Sequence, residues 1–340
     1  MKKHVDSRRL RILQSVREVK KTTNPYLVML IDALKERSDL EVLLFNFPRA
    51  IFGSYDVFHV HWPEVVFGGH NPMGRSWRRV LTSILLLRLA LTRTFIVRTW
   101  HNTERPKGLS RWDHCLLDGF DRLTRVRIRL NESSRFSDSL PVVTALLGHY
   151  RDWFAQRATY PAEPGRVAYV GLIRRYKGVE DLVRAFGDVT FAGATLHVCG
   201  KPSSEELVRD ITTGAAADDR ITVAFGFVDD DDFVREVTQA SLVALPFLHM
   251  HNSSTVLTAL SLERPVLVPD GEVNRALSAE VGPGWIYTYS GDLSGADIGE
   301  ALGMVATSSP PAPPNLSARG WDVSAQRHAE AYQLALKSRT

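Results

Sequence analysis

Tyr169-Val170-Gly171-Leu172-Ile173-Arg174-Arg175-Tyr176-Lys177-Gly178-Val179-Glu180-Asp181-Leu182 is the stretch on which the reading of this chain turns. It starts as a buried apolar strand, passes a tight glycine turn, sets down two arginines and a lysine, and runs into an amphipathic helix. Open α/β sheets bind ligands beyond the carboxyl ends of their strands, which is where Arg174, Arg175 and Lys177 fall. Cations beside the N–H groups of a turn and a helix start suit an anion, phosphate above all. Alone, the segment reads equally well as a surface turn with solvated basic side chains, because short basic βα turns are common. The remainder of the chain decides between the two.

The chain has 340 residues, room for two domains of ordinary size, and 44% hydrophobic with 24% charged residues is the composition of a globular protein. The net charge of +4 hides a division: residues 1–160 hold 27 Lys and Arg against 15 Asp and Glu, a balance of +12, and residues 161–340 hold 15 against 23, a balance of −8. Two surfaces of opposite sign suggest two domains. A basic half suits an acidic ligand, an anionic membrane or nucleic acid, and nucleic acid is the weakest of these because no recognised binding motif accompanies the charge. Cys115 and Cys199 stand far apart, offer no metal spacing and point to free thiols in a reducing compartment. The basic N-terminus lacks an apolar core and a small-residue cleavage site, so no signal peptide is expected. The apolar run Ile84 to Leu91 is broken by Arg88 and is too short to span a bilayer. A cytoplasmic protein, peripheral at the inner face of the plasma membrane, is the expectation.

Outward from the opening stretch, strands and helices alternate in both directions. In the first half, strands are expected at 11–16, 42–47, 57–61, 95–100 and 142–147, with helices over about 25–37 and about 75–92. In the second half, strands are expected at 167–170, 195–199, 221–225, 242–245 and 265–268, with helices at 179–186, 205–211, 231–239, 254–262 and 323–336. Tyr160-Pro161-Ala162-Glu163-Pro164-Gly165 is proline-rich and coincides with the change of charge, so the linker is placed there. Two βα arrays in sequence imply two doubly wound Rossmann-like domains with a cleft between them: residues 1–160, residues 161–320, and a helix over 321–340 packing back toward the first.

Three clusters carry candidate chemistry in the first half. His59, His61, Trp62, Pro63 and Glu64 sit at the end of one strand, His101-Asn102-Thr103-Glu104 at the end of another, and His149-Tyr150 follows a third. His and Glu are the usual groups for moving a proton, although a His–aromatic pair at a strand end also serves packing. In the second half, His249-Met250-His251-Asn252-Ser253-Ser254 precedes an apolar helix. Small hydroxyl and amide residues there either hold a phosphate or simply cap the helix. His249 and His251 lack a third ligand nearby, so no metal site is expected. Asp229 to Asp232 is read as a helix cap that favours the dipole.

Together these pieces resemble a GT-B glycosyltransferase of the glycosyltransferase 4-like superfamily, most specifically through Val170 to Gly178 and the downstream order Leu196–Gly200, Phe225–Val228, Leu245-Pro246-Phe247 and Pro265-Val266. Within it, the chain looks like the bacterial exopolysaccharide subgroup that includes xanthan-type GDP-mannose:glycolipid mannosyltransferases. The shared pieces are Asn24-Pro25-Tyr26, His61-Trp62-Pro63, Thr99-Trp100-His101-Asn102 and Gly148-His149-Tyr150. The resemblance implies a nucleotide-sugar donor on the second domain, bound by Gly171, Arg174, Arg175, Lys177, Phe227, Val228, Asn252, Ser253 and Ser254. It implies an acceptor, a glycan or a lipid-linked sugar, on the first, bound by Asn24, Tyr26, His61, Trp62 and His149, with His101 or Glu64 moving the acceptor proton. Leu172 stands where the superfamily often has an arginine, and Met250 and Thr258 stand where paired glutamates are usual, so retaining stereochemistry does not carry over.

The expected function is a metal-independent hexosyltransferase using GDP-mannose, or second a UDP-sugar, as substrate, with no cofactor. A nucleotide-sugar epimerase or hydrolase on the same fold and a non-catalytic nucleotide- or sugar-binding protein are the alternatives.

Overall fold

The computed structural model describes residues 8–20, 23–69, 71–101, 105–106, 108–248, 253–308 and 310–337. They fall into two compact units, Met1–Gly148 with Arg319–Thr340, and His149–Ala318.

In the first unit, strands β1 (Leu10–Gln14), β2 (Leu40–Leu44), β3 (Val57–Val60), β4 (Phe95–Trp100), β5 (Thr124–Arg129) and β6 (Val142–Thr144) form a six-stranded parallel sheet in the order β2-β1-β3-β4-β5-β6. All four residues of β3 are buried, as expected of a parallel strand covered on both faces. Leu13, Phe58, Val60 and Ile96 pack with Leu85 and Leu89 of the helix Pro72–Thr92 and with Leu116, Leu117 and Phe120 of the helix Arg111–Leu123.

The second unit repeats the plan. Strands β7 (Arg166–Val170), β8 (Thr195–Gly200), β9 (Ile221–Phe225), β10 (Leu242–Ala244), β11 (Val266–Pro269) and β12 (Ile286–Tyr289) form a parallel sheet in the order β12-β11-β10-β7-β8-β9. The opening stretch supplies its central strand β7, a short 3-10 turn at Arg175–Lys177 and the helix Val179–Phe186.

Several boundaries differ from the sequence reading. The second strand stops at Leu44, because Asn46 caps a short helix at Phe47 by accepting from the Arg49 N–H. β5 and the helix Arg111–Leu123 were not anticipated. Yet Val126 and Ile128 alternate with Arg125, Arg127 and Arg129, and Ser110 with Asp113 forms a capping box. The helices Glu272–Val281 and Gly295–Thr307, and β12 between them, were also not anticipated.

The units part at Gly148, earlier than the proline-rich segment. The reason is local: Trp153 Nε1 donates to Asp230 at 3.1 Å, Phe154 stacks on Phe233 and Arg157 pairs with Asp230 and Asp231. The proline-rich segment is itself docked on the second sheet through the Glu163 N–H, which donates to the Gln239 carbonyl at 2.8 Å. The C-terminal helix, Trp321–Lys337, belongs to the first unit and lies against β3 to β6. Among the described residues no helix is long and apolar enough to cross a membrane.

Candidate functional site

Each sheet has a point where the chain leaves a strand in opposite directions, between β1 and β3 in the first unit and between β7 and β10 in the second. Such switch points are where doubly wound sheets open a crevice.

At the first one, the His61 N–H donates to Ser15 Oγ at 3.1 Å, tying the residue after β3 to the residue after β1. One strand further along, His101 follows β4, and its Nε2 lies 3.2 Å from His61 Nδ1. Trp62 stacks on His101 with ring centres 3.9 Å apart, and Tyr26 meets both imidazoles edge-on, at 5.2 Å and 5.8 Å. Tyr26 reaches this position because Asn24 caps its helix, accepting from the Tyr26 N–H at 3.0 Å. Behind this layer His59 bonds Thr99 Oγ1 and Tyr332 Oη, each at 2.8 Å, and Gln14 Nε2 donates to the same Tyr332 oxygen at 3.2 Å.

Burial first, and neighbouring imidazoles second, hold His59 and His61 far below the ordinary histidine value. Burial, then His328 and Arg98, push His101 down to about 3, and burial pushes His328 down to about 4. All four rings are therefore neutral near pH 7, able to share protons without bringing charge into the interior.

In front of the imidazoles opens a cleft of about 200 Å³. Glu64 lines it from the first turn of the helix Pro63–Phe67, beside Arg98, Trp100 and Asp121. Arg98 pairs with Asp121, and Arg105 bridges Asp118 at 2.9 Å and Asp121 at 2.6 Å. An aromatic ring, neutral imidazoles and a carboxylate around one small cleft can stack a sugar and accept a hydroxyl proton. The structure thus brings His61, Trp62, Glu64 and His101 together. The sequence reading did not assign Arg98, Trp100, Arg105 or Asp121 to the site; the one local signal was Arg98 interrupting the apolar start of β4 at its carboxyl end. Asn102, Thr103 and Glu104 lie outside the described residues.

His149 belongs to the second unit, where its Nδ1 accepts from the Arg151 N–H at 3.4 Å. Gly148 before it has a packing role, since a Cβ there would lie 2.5 Å from the Trp321 ring.

At the second switch point the loops after β7 and β10 are joined. Leu248 N–H donates to the Tyr176 carbonyl at 2.9 Å. Gly178, at φ 62°, lets the Pro246 carbonyl approach to 2.4 Å from where a Cβ would sit. Lys177 Nζ lies 4.7 Å from the centre of the Phe247 ring. Burial, and then Arg174, push Lys177 down to about 8. Arg174 folds back so that its Nη1 donates to the carbonyls of Ile173 at 2.8 Å and Lys201 at 3.1 Å. Among the described residues neither Lys177 nor Arg174 pairs with a carboxylate, so two cations share a strand end without a counter-charge, as suits an anion site.

Arg175 is placed differently. It meets Glu180 at 2.9 Å, Glu206 at 3.1 Å and Asp210 at 3.0 Å, in the groove between the helices Val179–Phe186 and Glu205–Ala215. Of the two arginines offered for the clamp, the geometry favours Arg174. Gly171, at φ 134°, has open space around it, while its carbonyl closes on Gly200, where a Cβ would stand 1.8 Å away. Phe227, which is exposed, and Val228 line a hollow of about 150 Å³ beyond β8 and β9. Ser253 caps the helix Ser254–Ser261, accepting from the Val256 N–H at 3.3 Å. Asn252 lies outside the described residues.

Residues 164–290 match the family described as glycosyl transferases group 1. Over 332 residues, 96% of this chain and 93% of the relative, the sequence is 38% identical to a GDP-mannose:glycolipid 4-beta-D-mannosyltransferase of Xanthomonas campestris pv. campestris. The chain belongs to the group 1 glycosyltransferases. Solved structures agree on the fold. AviGT4, a glycosyltransferase involved in avilamycin A biosynthesis, superposes with a TM-score of 0.59 at 15% identity, over 96% of this chain and 98% of its own. Anabaena HepE in complex with UDP and glucose does so at 0.59 and 12%, over 97% and 98%. This glycosyltransferase therefore has the GT-B architecture, built from two six-stranded parallel sheets.

Proposed function

We propose that this glycosyltransferase moves mannose from GDP-mannose to a lipid-linked glycan, forming a β-linkage. The observation that carries the reading is the 38% identity, across 96% of the chain, to an enzyme whose name specifies that donor, a glycolipid acceptor and a β product. The donor diphosphate sits at the end of β7, where Lys177 and Arg174 offer charge and the Gly171 turn leaves space. The acceptor sugar occupies the cleft of about 200 Å³ lined by Trp62, Glu64 and His101.

A β product from an α-configured nucleotide sugar requires a single displacement. The acceptor hydroxyl oxygen bonds to the anomeric carbon, the bond from that carbon to the phosphate oxygen breaks, and its electron pair leaves on GDP. The hydroxyl proton passes to a base, for which Glu64 and His101 are the candidates. Negative charge grows on the diphosphate as the bond breaks, so Lys177 and Arg174 stabilise the transition state more than the bound donor. A lipid acceptor places the enzyme at a membrane surface, and two free cysteines suit the cytoplasmic side.

The test is transfer of radiolabelled mannose from GDP-mannose into lipid extracts carrying undecorated glycolipid, with UDP-glucose as control donor. The reading expects a labelled lipid product sensitive to β-mannosidase. Release of free mannose alone, or label from the UDP-sugar only, overturns it.

A further inference from the structure

The helix Pro72–Thr92 presents two faces. Thr82, Leu85 and Leu89 turn inward and are buried. Opposite them Met73, Trp77, Val80, Ile84, Leu87 and Leu91 recur at alternating spacings of four and three residues, and all are exposed, from 36% at Val80 to 84% at Met73. Three further exposed apolar residues, Phe52, Val65 and Trp112, sit on the helices packed against this one. An apolar face of this extent is unusual on a monomer and marks an interaction surface.

The charge around it selects the partner. Between Glu64 and Glu104 the sequence holds six arginines and no carboxylate. Arg75 and Arg93 are exposed at the two ends of the helix. Arg88, beside the stripe, donates to the Gly53 carbonyl, while Arg78 tucks against the Gly68 carbonyl and Arg79 grips Asp113. Pairing this face with a second copy of itself would set one arginine-rich segment against another, since between Glu64 and Glu104 the sequence supplies no carboxylate. An anionic bilayer matches both the stripe and its border.

We infer that the face formed by Met73, Trp77, Val80, Ile84, Leu87 and Leu91 is a docking surface for an anionic lipid bilayer, lying in the headgroup layer without crossing it. It lies beside the helix that lines the cleft: Glu64, in the cleft, and the exposed Val65 are successive residues of the helix packed against Pro72–Thr92. In giving a lipid-linked sugar a short route from the bilayer to Glu64 the inference rests on the glycolipid reading, but docking itself is measured without donor or acceptor.

The experiment is co-sedimentation of the full chain with vesicles of phosphatidylcholine alone or with anionic phosphatidylglycerol, beside the variant Trp77→Ser/Leu87→Ser/Leu91→Ser. These side chains are exposed, so the variant should keep its melting temperature. Expected is binding to anionic vesicles that weakens in high salt, and a loss of roughly tenfold or more in partitioning for the variant. The variant should still transfer sugar to a water-soluble acceptor. Binding that ignores lipid charge, equal partitioning of variant and parent, or a dimer in solution that the variant renders monomeric, would overturn the inference. Failure of mannose transfer with docking intact would instead count against the glycolipid reading.

Discussion

His61 Nδ1 and His101 Nε2 stand 3.2 Å apart, so the imidazole after β3 holds the imidazole after β4. Neither carries charge near neutrality, because burial opposes their protonation. A histidine so disposed positions well and binds protons weakly.

The first prediction follows from that weakness. With saturating donor, Glu64→Gln should lower kcat by roughly 10²–10⁴-fold, the range of a lost general base. His101→Ala should cost less in kcat and more in KM for the acceptor, since its ring backs the Trp62 stack. Turnover within tenfold of wild type in both variants removes the base from this cleft.

A second prediction concerns the diphosphate. Lys177→Ala should reduce kcat/KM by about 2–4 kcal/mol in transition-state stabilisation, with kcat sharing the loss. Arg174→Ala should lose activity as well, whereas Arg175→Ala, whose side chain is already held by three carboxylates, should stay near wild type. Because Lys177 in the free protein loses its proton at about 8, affinity for GDP should fall as pH rises through that value. Calorimetric titration of GDP from pH 7 to 9 checks this, and affinity flat across the range in wild type would count against Lys177 as the phosphate contact.

Stability in acid is the third. His59, His61 and His328 are buried and neutral in the folded state, with values held below the unfolded one near 6.5. Depressed folded values mean that the unfolded chain binds more protons, so stability is full above about pH 6.5 and is lost as pH falls toward the folded values. With His101, also held far below the unfolded value, urea unfolding between pH 7 and pH 5 should show uptake of about four protons from this group. A parent without this slope would contradict the neutral cluster, and His328→Gln should reduce it by about one proton.

The fourth concerns the crossing of Gly171 and Gly200. A Cβ at residue 200 would lie 1.8 Å from the Gly171 carbonyl, a backbone atom that cannot step aside cheaply. Gly200→Ala should force the turn after β7 away from β8, lowering both GDP affinity and melting temperature. Gly171→Ala meets no neighbour and is penalised through its φ of 134° alone. Equal melting temperatures for Gly200→Ala and the parent would refute the close approach.

Much of the architecture follows from local pattern, because a parallel strand buried on both faces must be a short apolar run and a helix start must be capped. Val170 to Gly178 therefore announces a central strand and its cationic turn, and His61 and His101 are legible as strand-end residues, without any knowledge of partners. What local pattern does not contain is direction and distance. Arg174 and Arg175 are neighbours with the same chemistry, yet one folds over backbone carbonyls beside Lys177 and the other is drawn away by Glu206 and Asp210, more than thirty residues along the chain. The histidine cluster owes its neutrality first to burial and then to neighbouring imidazoles, among them His328, which the C-terminal helix carries back to β3 together with Tyr332 from the far end of the sequence. The apolar run of the helix Pro72–Thr92, with arginines around it, reads in sequence equally as an interfacial helix and as a core helix with arginines at its edges. Only the packed sheet shows which side is already filled by Leu85 and Leu89, and so which side is left for a partner. Residue type and spacing fix the elements; which of two equivalent side chains faces a ligand depends on charges and surfaces that meet only when distant segments pack.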